Sequence, residues 1–599
     1  MLILWAPWRP RAVSALPIRL SAELGADASL LLAGNAQAGS AVALSPDGRL
    51  LAFAAQTTPG GPSQLFIRPL DGLKATLLPG TDDAASPFFS PDSQSVGFFA
   101  NRKLKKIAVA GGPAVTLCDA PNSRGASWGD DGTIAFQGSG ASTSGLMRVA
   151  SAGGMAAPLT TLAAGEVTHR WPQMLPGGRG LIYTSSTTTG NYATGATIVF
   201  QSLPAGPRKV LAQDAYFGRY VPSGHLLYVH ESTLFAAPLD LDRLEVTGPA
   251  VPVLEDIATG VTNGSAQYAV SNTGTLVFAT KEILINGFAP LASLDRHGKT
   301  TLIHSTPIDW SNPQFSPDGQ RLTLDITDAK QTDIWVLDWA RDAQSRITLD
   351  PGTHWMPMWT PDGRRIAFRW APPGGAANVY WRRADGGGET QRLTTGPISL
   401  YPFAFHPSGR TFAYGVPTNK GADIVLVSME GSEEAGWKPG TTTTFLSGPS
   451  KLSAAFSPDG RWIAYTSNES GTWQVYVQSF PGPGGKWVVS VDGGTYPTWS
   501  RRRNELLFAG PDNRIKVVAY KTSADSFIPE KPQSWSEARF LPRPRGFGGL
   551  AGRPFDLHPD GERVVIAPYP EDGRIEKQDK IVFVLNFSDE LKRVAPPAR

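Results

Sequence analysis

The sequence predicts an all-β protein: two tandem six-bladed β-propellers of four-stranded antiparallel blades. Three observations point there. A Pro-Asp-Gly-type turn recurs along the whole chain, and nearly every copy runs into a short apolar strand. The composition, with 64 Gly, 51 Pro, 17 Trp, 27 Phe and 14 Tyr in 599 residues, suits many short strands joined by tight turns.

The clearest turns are Ser45-Pro46-Asp47-Gly48, Ser316-Pro317-Asp318-Gly319, Thr360-Pro361-Asp362-Gly363, Ser457-Pro458-Asp459-Gly460 and His558-Pro559-Asp560-Gly561. Degenerate copies fill the gaps, among them Ser90-Pro91-Asp92, Asp130-Asp131-Gly132 and Pro222-Ser223-Gly224. The Asp-equivalent positions run 47, 92, 131, 177, 223, 273, 318, 362, 408, 459, 502 and 560, with a shortest step of 39 (92 to 131) and a longest of 58 (502 to 560). Pro presets φ, Asp bonds the backbone ahead of it, and Gly takes a conformation that other residues resist.

Nearly every turn is followed by a short apolar strand, as in Leu50-Leu51-Ala52-Phe53, Ile366-Ala367-Phe368 and Trp462-Ile463-Ala464-Tyr465, which suits burial between neighbouring sheets. A third strand recurs between hairpins (Gln64 to Ile67, Asp333 to Val336, Gln474 to Val477) and a weaker fourth follows, as at Gln391 to Thr394. Four strands in ~40–50 residues make a propeller blade, and twelve exceed the ~4–8 that one ring holds, so two rings of six is the simplest partition. The expected organisation is an apolar and basic stub over residues 1–14, a first propeller over 15–286, a second over 287–593 and a disordered tail over 594–599. The strand at Ile581 to Val584 is expected to close the second ring, pairing in the blade that opens near Gly287 with Leu291 to Leu294.

Composition excludes several classes. A net charge of +3 from 55 basic and 52 acidic residues gives no nucleic-acid footprint. The single cysteine, Cys118, excludes an internal disulfide framework and a multi-cysteine metal site within one chain. The eight histidines lack zinc-binding spacing, so neither a metal nor a cofactor is expected. Gly125-Ala126-Ser127-Trp128-Gly129 matches a nucleophile elbow but sits where the repeat puts a strand, and Gly546 to Ala551 lacks the flanking strand and helix of a dinucleotide loop. Repeats continue to Gly561, so no separate hydrolase domain is expected beside them.

The Ser-Pro-Asp-Gly turns followed by Leu/Ile-Ala-Phe/Tyr resemble WD-repeat-like propellers of the TolB type. Three longer passages, Glu166 to Tyr183, Phe456 to Trp499 and Val582 to Lys592, resemble the C-terminal propeller region of bacterial receptor-type serine/threonine protein kinases. That resemblance implies a cytoplasmic kinase domain, one membrane helix and a propeller pair outside the membrane. The chain has no Gly-rich loop with a strand lysine, no His-Arg-Asp loop and no Asp-Phe-Gly, so no kinase activity is expected. Met1 to Arg11, with Leu2, Ile3, Leu4, Trp5, Arg9 and Arg11, would match the outer end of the membrane helix. The expectation is a non-enzymatic sensor or interaction module, extracytoplasmic and possible to tether at the membrane. Its partner would be a peptide, protein or small molecule of unknown identity and not a nucleic acid. One alternative is a truncated gene for such a kinase; another is a glycosidase- or lactonase-type propeller hydrolase with carboxylates in its channel.

Each innermost strand runs up to its turn, so residues about six to nine before the Asp position should lie near a channel mouth. No catalytic residue is expected. The candidate ligand-binding residues are His169, Arg170 and Trp171 with Arg124 beside them in the first ring. In the second they are Asp309, Trp310, His354, Trp355, Tyr401, Lys451, Tyr496 and Arg553. Aromatics and cations around one opening suit a peptide or polyanionic ligand.

Overall fold

Each Ser-Pro-Asp-Gly turn closes on its own side chains. The Ser45 hydroxyl donates to the Asp47 carboxylate and accepts the Leu50 N–H at 2.9 Å, while Asp47 accepts the Arg49 N–H at 3.0 Å. Gly48, at φ +73°, donates its N–H to the Ser45 carbonyl. The same bonds recur at Ser316 and Asp318, at Thr360 and Asp362, and at Ser457 and Asp459. At His558 the imidazole takes the place of the hydroxyl, with Nδ1 at 2.8 Å from Asp560.

The computed structural model describes residues 16–596 apart from 31–38, 59–61, 139–143, 188–191, 193–194, 204–205, 261–262, 281–287, 329–330, 339–340, 342, 373–375, 397, 419–420, 434–435, 483, 524–525, 544–551 and 571–577. The expected stub over 1–14, the boundary at Gly287 and the loop Gly546 to Ala551 therefore lie outside the described residues. The chain is all-β as expected, in antiparallel sheets that are mostly four-stranded, the form of a propeller blade. Among the described residues the only helices are Phe587–Val594 and the short 3-10 turn Pro176–Gly178, and no helix is long and apolar enough to cross a membrane.

In the N-terminal half, six sheets begin in turn at Val42–Leu44, Ala85–Phe89, Ala126–Trp128, Thr168–Met174, Tyr216–Val221 and Tyr268–Val270. Neighbouring first strands touch through the first five; Tyr216–Val221 then touches Ser265–Ala266, and Tyr268–Val270 returns to Val42–Leu44. In the C-terminal half the first strands are residues 310–315, Thr353–Trp359, Tyr401–Phe405, Lys451–Phe456, Thr495–Trp499 and Phe555–Leu557, and the last of these touches the first. One long strand, Thr300–Phe315, serves two sheets there: its first half pairs with Phe288–Asp295 and its second with Arg321–Thr327.

The core lies between sheets. In Leu50–Gln56 the odd residues Leu51, Phe53 and Ala55 pack with Val277 and Phe583 of the preceding sheet, and the even residues Ala52 and Ala54 pack with Val96 and Phe98 of the following one. Alternation in a strand sends neighbours to opposite faces, so a strand covered on both sides, like this one, reads as a continuous apolar run.

The expected closure is corrected. Lys580–Leu585 does not pair in the sheet that contains Leu291 to Leu294; it lies between Ile18–Glu23 and Leu276–Phe278, completing the last N-terminal sheet. Phe288–Asp295 instead finds its partner in Arg563–Ile566. Pairing near Ile18 gives the terminal strand backbone partners on both edges. Of the expected tail over 594–599, Val594 instead ends the helix and Ala595 is buried, its carbonyl 2.7 Å from His225 Nε2, while 597–599 lie outside the described residues. Phe587 and Leu591 of that helix enter the core of the N-terminal sheets.

Ending the chain after Gln578 removes Ile581, Phe583, Val584, Phe587 and Leu591 from these cores, and each large side chain is worth roughly 1.5–3 kcal/mol. The expected result is loss of amide-exchange protection in residues 18–23 and 276–278, with protection in 353–509 unchanged. Hydrogen exchange read by mass spectrometry checks this.

Candidate functional site

A single backbone device sets what faces the centre of each half. Ser86, Trp171, Phe217, Asn312, Met356, Ser453 and Tyr496 all have positive φ, between 51° and 57°. Each stands six residues before its turn position (92, 177, 223, 318, 362, 459 and 502), and each falls inside an interruption of the pairing between the first and second strands. Such bulges turn a side chain out of the pleat. A non-glycine residue in that conformation costs about 1 kcal/mol, so the surroundings must hold it.

In the N-terminal half this device closes the centre with Trp171. The indole is 1% exposed, lies 5.5 Å from the Phe217 ring and donates from Nε1 to the Asn263 carbonyl at 3.0 Å. Gly125 leaves room for it, since a Cβ there would fall 2.6 Å from the indole. Around Trp171 stand three arginines. The Trp171 N–H bonds the Arg124 carbonyl, and its own carbonyl accepts from Arg219 at 3.0 Å. Arg170, buried, donates to Thr168 Oγ1 and to the Asn263 carbonyl, both at 3.2 Å, and its guanidinium lies 4.8 Å from the Tyr192 ring. Burial pushes all three guanidinium pKa values down, and the nearby charge of Arg170 helps bring Arg124 to about 9.

His169 is no part of an opening. It is fully buried, with Nε2 at 2.9 Å from Glu166 and Nδ1 at 2.7 Å from the Thr160 hydroxyl. The ionised Glu166 can only accept, so Nε2–H donates to it and, in the neutral ring, Nδ1 accepts from the Thr160 hydroxyl, whose oxygen in turn accepts the Leu146 N–H. Burial lowers the histidine pKa, which keeps it neutral. Burial acts to raise the Glu166 pKa, but the Arg208 guanidinium, the Ser185 hydroxyl, the Ala163 N–H and His169 outweigh it and hold the carboxyl at about 2.

The C-terminal half has a small central cavity of about 30 Å³, lined by the bulge residues Asn312, Met356, Ser453 and Tyr496 together with Pro402 and Arg553. That is room for about one water and far below the ~300 Å³ of an ordinary ligand pocket. Arg553 donates to Thr498 Oγ1 at 2.7 Å and lies 3.6 Å from Asp556, whose carboxyl pKa burial raises against the pull of Arg553.

Of the eight candidates in this half, the structure brings Tyr496 and Arg553 to the cavity. Trp355 and Tyr401 instead flank Arg369, whose guanidinium is 4.7 Å and 4.9 Å from their rings. His354 is buried against Asp333 at 3.1 Å, and Lys451 is 4% exposed, bonded to Glu469 at 2.7 Å and Ser467 at 3.0 Å. Trp310 is fully buried beneath the Arg543 guanidinium, and Asp309 pairs across from Phe288 in the long strand. Trp310, His354, Lys451 and His169 all stand eight residues before their turn positions (318, 362, 459 and 177), a register that is buried support. Ser127 of the elbow-like motif lies in a strand, its Oγ accepting the Met174 N–H at 2.9 Å.

Sequence reasoning missed Arg219, Tyr192 and Asn263. Arg219 lies closer to its turn than the window searched, and the other two come from irregular segments that carry no repeat.

Glu166 gives a pH-dependent prediction. A carboxylate held below its ordinary pKa of 4.5 stabilises the fold fully above that value, and the contribution is lost as pH falls towards 2. With some solvent screening the shift is worth about 2 kcal/mol. Glu166→Gln is expected to lower the urea midpoint at pH 7 and to flatten its decline between pH 5 and 2, measured by fluorescence.

Residues 291–450 match the family described as PD40, TolB beta propeller domain. The chain is 25% identical over 198 residues to the uncharacterized peptidase YuxL of Bacillus subtilis, a match covering 27% of this chain and 30% of that protein. It is 26% identical over 239 residues to the uncharacterized protein Atu1656 of Agrobacterium fabrum, covering 39% of this chain and 72% of that one. The match to the peptidase thus spans less than a third of that protein's length. Among solved structures the chain is similar to a TolB from Agrobacterium tumefaciens, with a TM-score of 0.36 and 18% identity over 47% of this chain and 99% of that one. It is similar to TolB from Acinetobacter baumannii (TM-score 0.30, 15% identity, 53% and 80% covered) and to the tricorn protease (TM-score 0.30, 11% identity, 92% and 63% covered). The family match over residues 291–450 falls on a stretch of antiparallel, mostly four-stranded sheets.

Proposed function

We propose that the protein is a non-enzymatic, ligand- or protein-binding double β-propeller, each half a ring of six blades, acting outside the cytoplasm as a sensing module. The circuit of contacts between first strands in each half supports the ring count. The TolB-type domain and the receptor-kinase-like passages support the sensing role and the location.

The observation that carries the binding reading is the state of the charged groups. His169 and Lys451, which could have moved protons, are committed to buried internal pairs with Glu166 and Glu469. His354 is likewise buried against Asp333. The guanidinium groups around Trp171, by contrast, have no carboxylate within ion-pair distance among the described residues. Guanidinium groups of that kind suit holding an anionic ligand group.

The test is a thermal-shift screen of the full chain against short peptides, oligosaccharides and nucleotides, with parallel assays for peptide, glycoside and lactone hydrolysis. The expected result is a raised melting temperature with at least one class and turnover of none. Hydrolysis that disappears in Asp556→Asn would overturn the binding reading in favour of a channel carboxylate.

A further inference from the structure

We propose that the open edge of Ile18–Glu23 is a self-association surface, on which a second copy of the chain lays its own Ile18–Glu23 antiparallel across a two-fold axis at Ser21. The surface lies apart from the binding reading above and does not depend on it.

Ile18–Glu23 is the outermost strand of its sheet, paired on one side with Lys580–Leu585 and, among the described residues, with no strand on the other. Five of its six residues are exposed and Ala22 is half-buried. Several outer strands are only two or three residues long, as at Thr76–Leu77, Ala157–Pro158, Gln391–Arg392 and Lys486–Val488. A longer one, Gly436–Leu446, carries Lys438 and Pro439. Short length, lysine and proline all blunt an edge against pairing, and Ile18–Glu23 has neither lysine nor proline within it.

The backbone limits how a second strand can add. The Leu24 N–H bonds the Asp579 carbonyl, and bonding alternates along an antiparallel ladder. The even residues Ile18, Leu20 and Ala22 therefore turn their backbone groups to Lys580–Leu585, and the odd residues Arg19, Ser21 and Glu23 turn theirs outward. The Arg68 guanidinium agrees with that direction, since it donates to the Glu23 carbonyl from outside the sheet. An added strand must set odd residues opposite odd ones. With the axis at Ser21, Ser21 faces its own copy and Arg19 of each chain faces Glu23 of the other, two opposite-charge pairs related by symmetry. An axis at Arg19 or at Glu23 would oppose like charges, and one at Leu20 or Ala22 would set Ser21 against a charge and leave no pair.

The side chains fit the same register. Ile18 and Leu20, 49% and 50% exposed, stand beside Leu585 and Phe583 at the rim of the core that Phe583 and Ala22 share. Across the axis Leu20 of each copy lies opposite Ala22 of the other, so apolar surface meets apolar surface on one face while the charges pair on the other. Arg19 and Glu23 make no ion pair of their own among the described residues, and Glu590, beside Arg19, is already bonded to Arg593 at 2.7 Å.

The experiment measures the mass of the full chain by light scattering after size exclusion and by sedimentation equilibrium over a wide range of concentration. The parent is expected to dimerise. Arg19→Glu or Glu23→Arg alone turns both attractive pairs repulsive and is expected to weaken the dimer about tenfold or more, while Arg19→Glu with Glu23→Arg restores it. Ser21→Pro removes an outward N–H and no bond within its own sheet, and is expected to weaken the dimer by a similar factor. Circular dichroism and melting temperature show that each variant is folded. A monomer at every concentration overturns the surface, whether its edge is then filled by residues 1–15 of the same chain or by another protein. A dimer indifferent to the single charge reversals, or one that the double reversal fails to restore, overturns it as well.

Discussion

The arrangement depends on one strand pairing, in which the backbone of Lys580–Leu585 bonds Ile18–Glu23 on one side and Leu276–Phe278 on the other. Without it the last N-terminal sheet is a two-stranded fragment with an open edge, and an open edge invites pairing with other chains. The pairing also brings Phe583 and Val584 into two separate cores and sets the helix that carries Phe587 and Leu591 inward. The C-terminal half is tied in a related way, with Phe288–Asp295 from its start beside Arg563–Ile566 from its end. Each half is closed by segments distant in sequence, so neither can be shortened at one end without exposing apolar surface.

Within that frame, the bulges set which side chains face the centre. A regular strand between two sheets sends every side chain into a neighbour, which leaves nothing for a ligand. The positive-φ side-chain-bearing residue six places before seven of the turns breaks that rule and directs a side chain to the centre. In the N-terminal half the centre is filled by Trp171, whose carbonyl accepts from Arg219; in the C-terminal half it is a cavity of about 30 Å³. The two halves share one backbone plan and differ in what the bulge position holds.

The fold was legible because its determinants are local. The Pro-Asp-Gly turns, the apolar strand after each, and their spacing can be read from short stretches, and they gave the sheets and the near absence of helix. Closure was misjudged because strand partners hundreds of residues apart leave no local signature: Ile581 to Val584 reads as well against Leu291 as against Ser21. The site was legible in part. Arg124, Arg170, Trp171, Tyr496 and Arg553 lie at the two centres as the register argument required. His169, His354, Lys451 and Trp310 came from the same window but sit two places further from the turn, where the pleat points into the core. Burial there depends on a bulge that no residue type announces, since Ser, Trp, Phe, Asn, Met and Tyr all occupy it.

The pairing of the chain ends also bears on how the protein is made. Synthesis proceeds from the N-terminus, and the strand that completes the N-terminal half is not made until the ribosome has passed residue 585, some 307 residues beyond Phe278. At 5–20 residues per second that is a wait of about 15–60 s. During it, Ile18–Glu23 and Leu276–Phe278 have no central strand, while Phe288 to Ile566 emerges and can close on itself. The nascent chain is therefore obliged to finish its second half before its first, and for that interval its earliest-made sheets depend on something other than their own C-terminus to stay out of the wrong partnership.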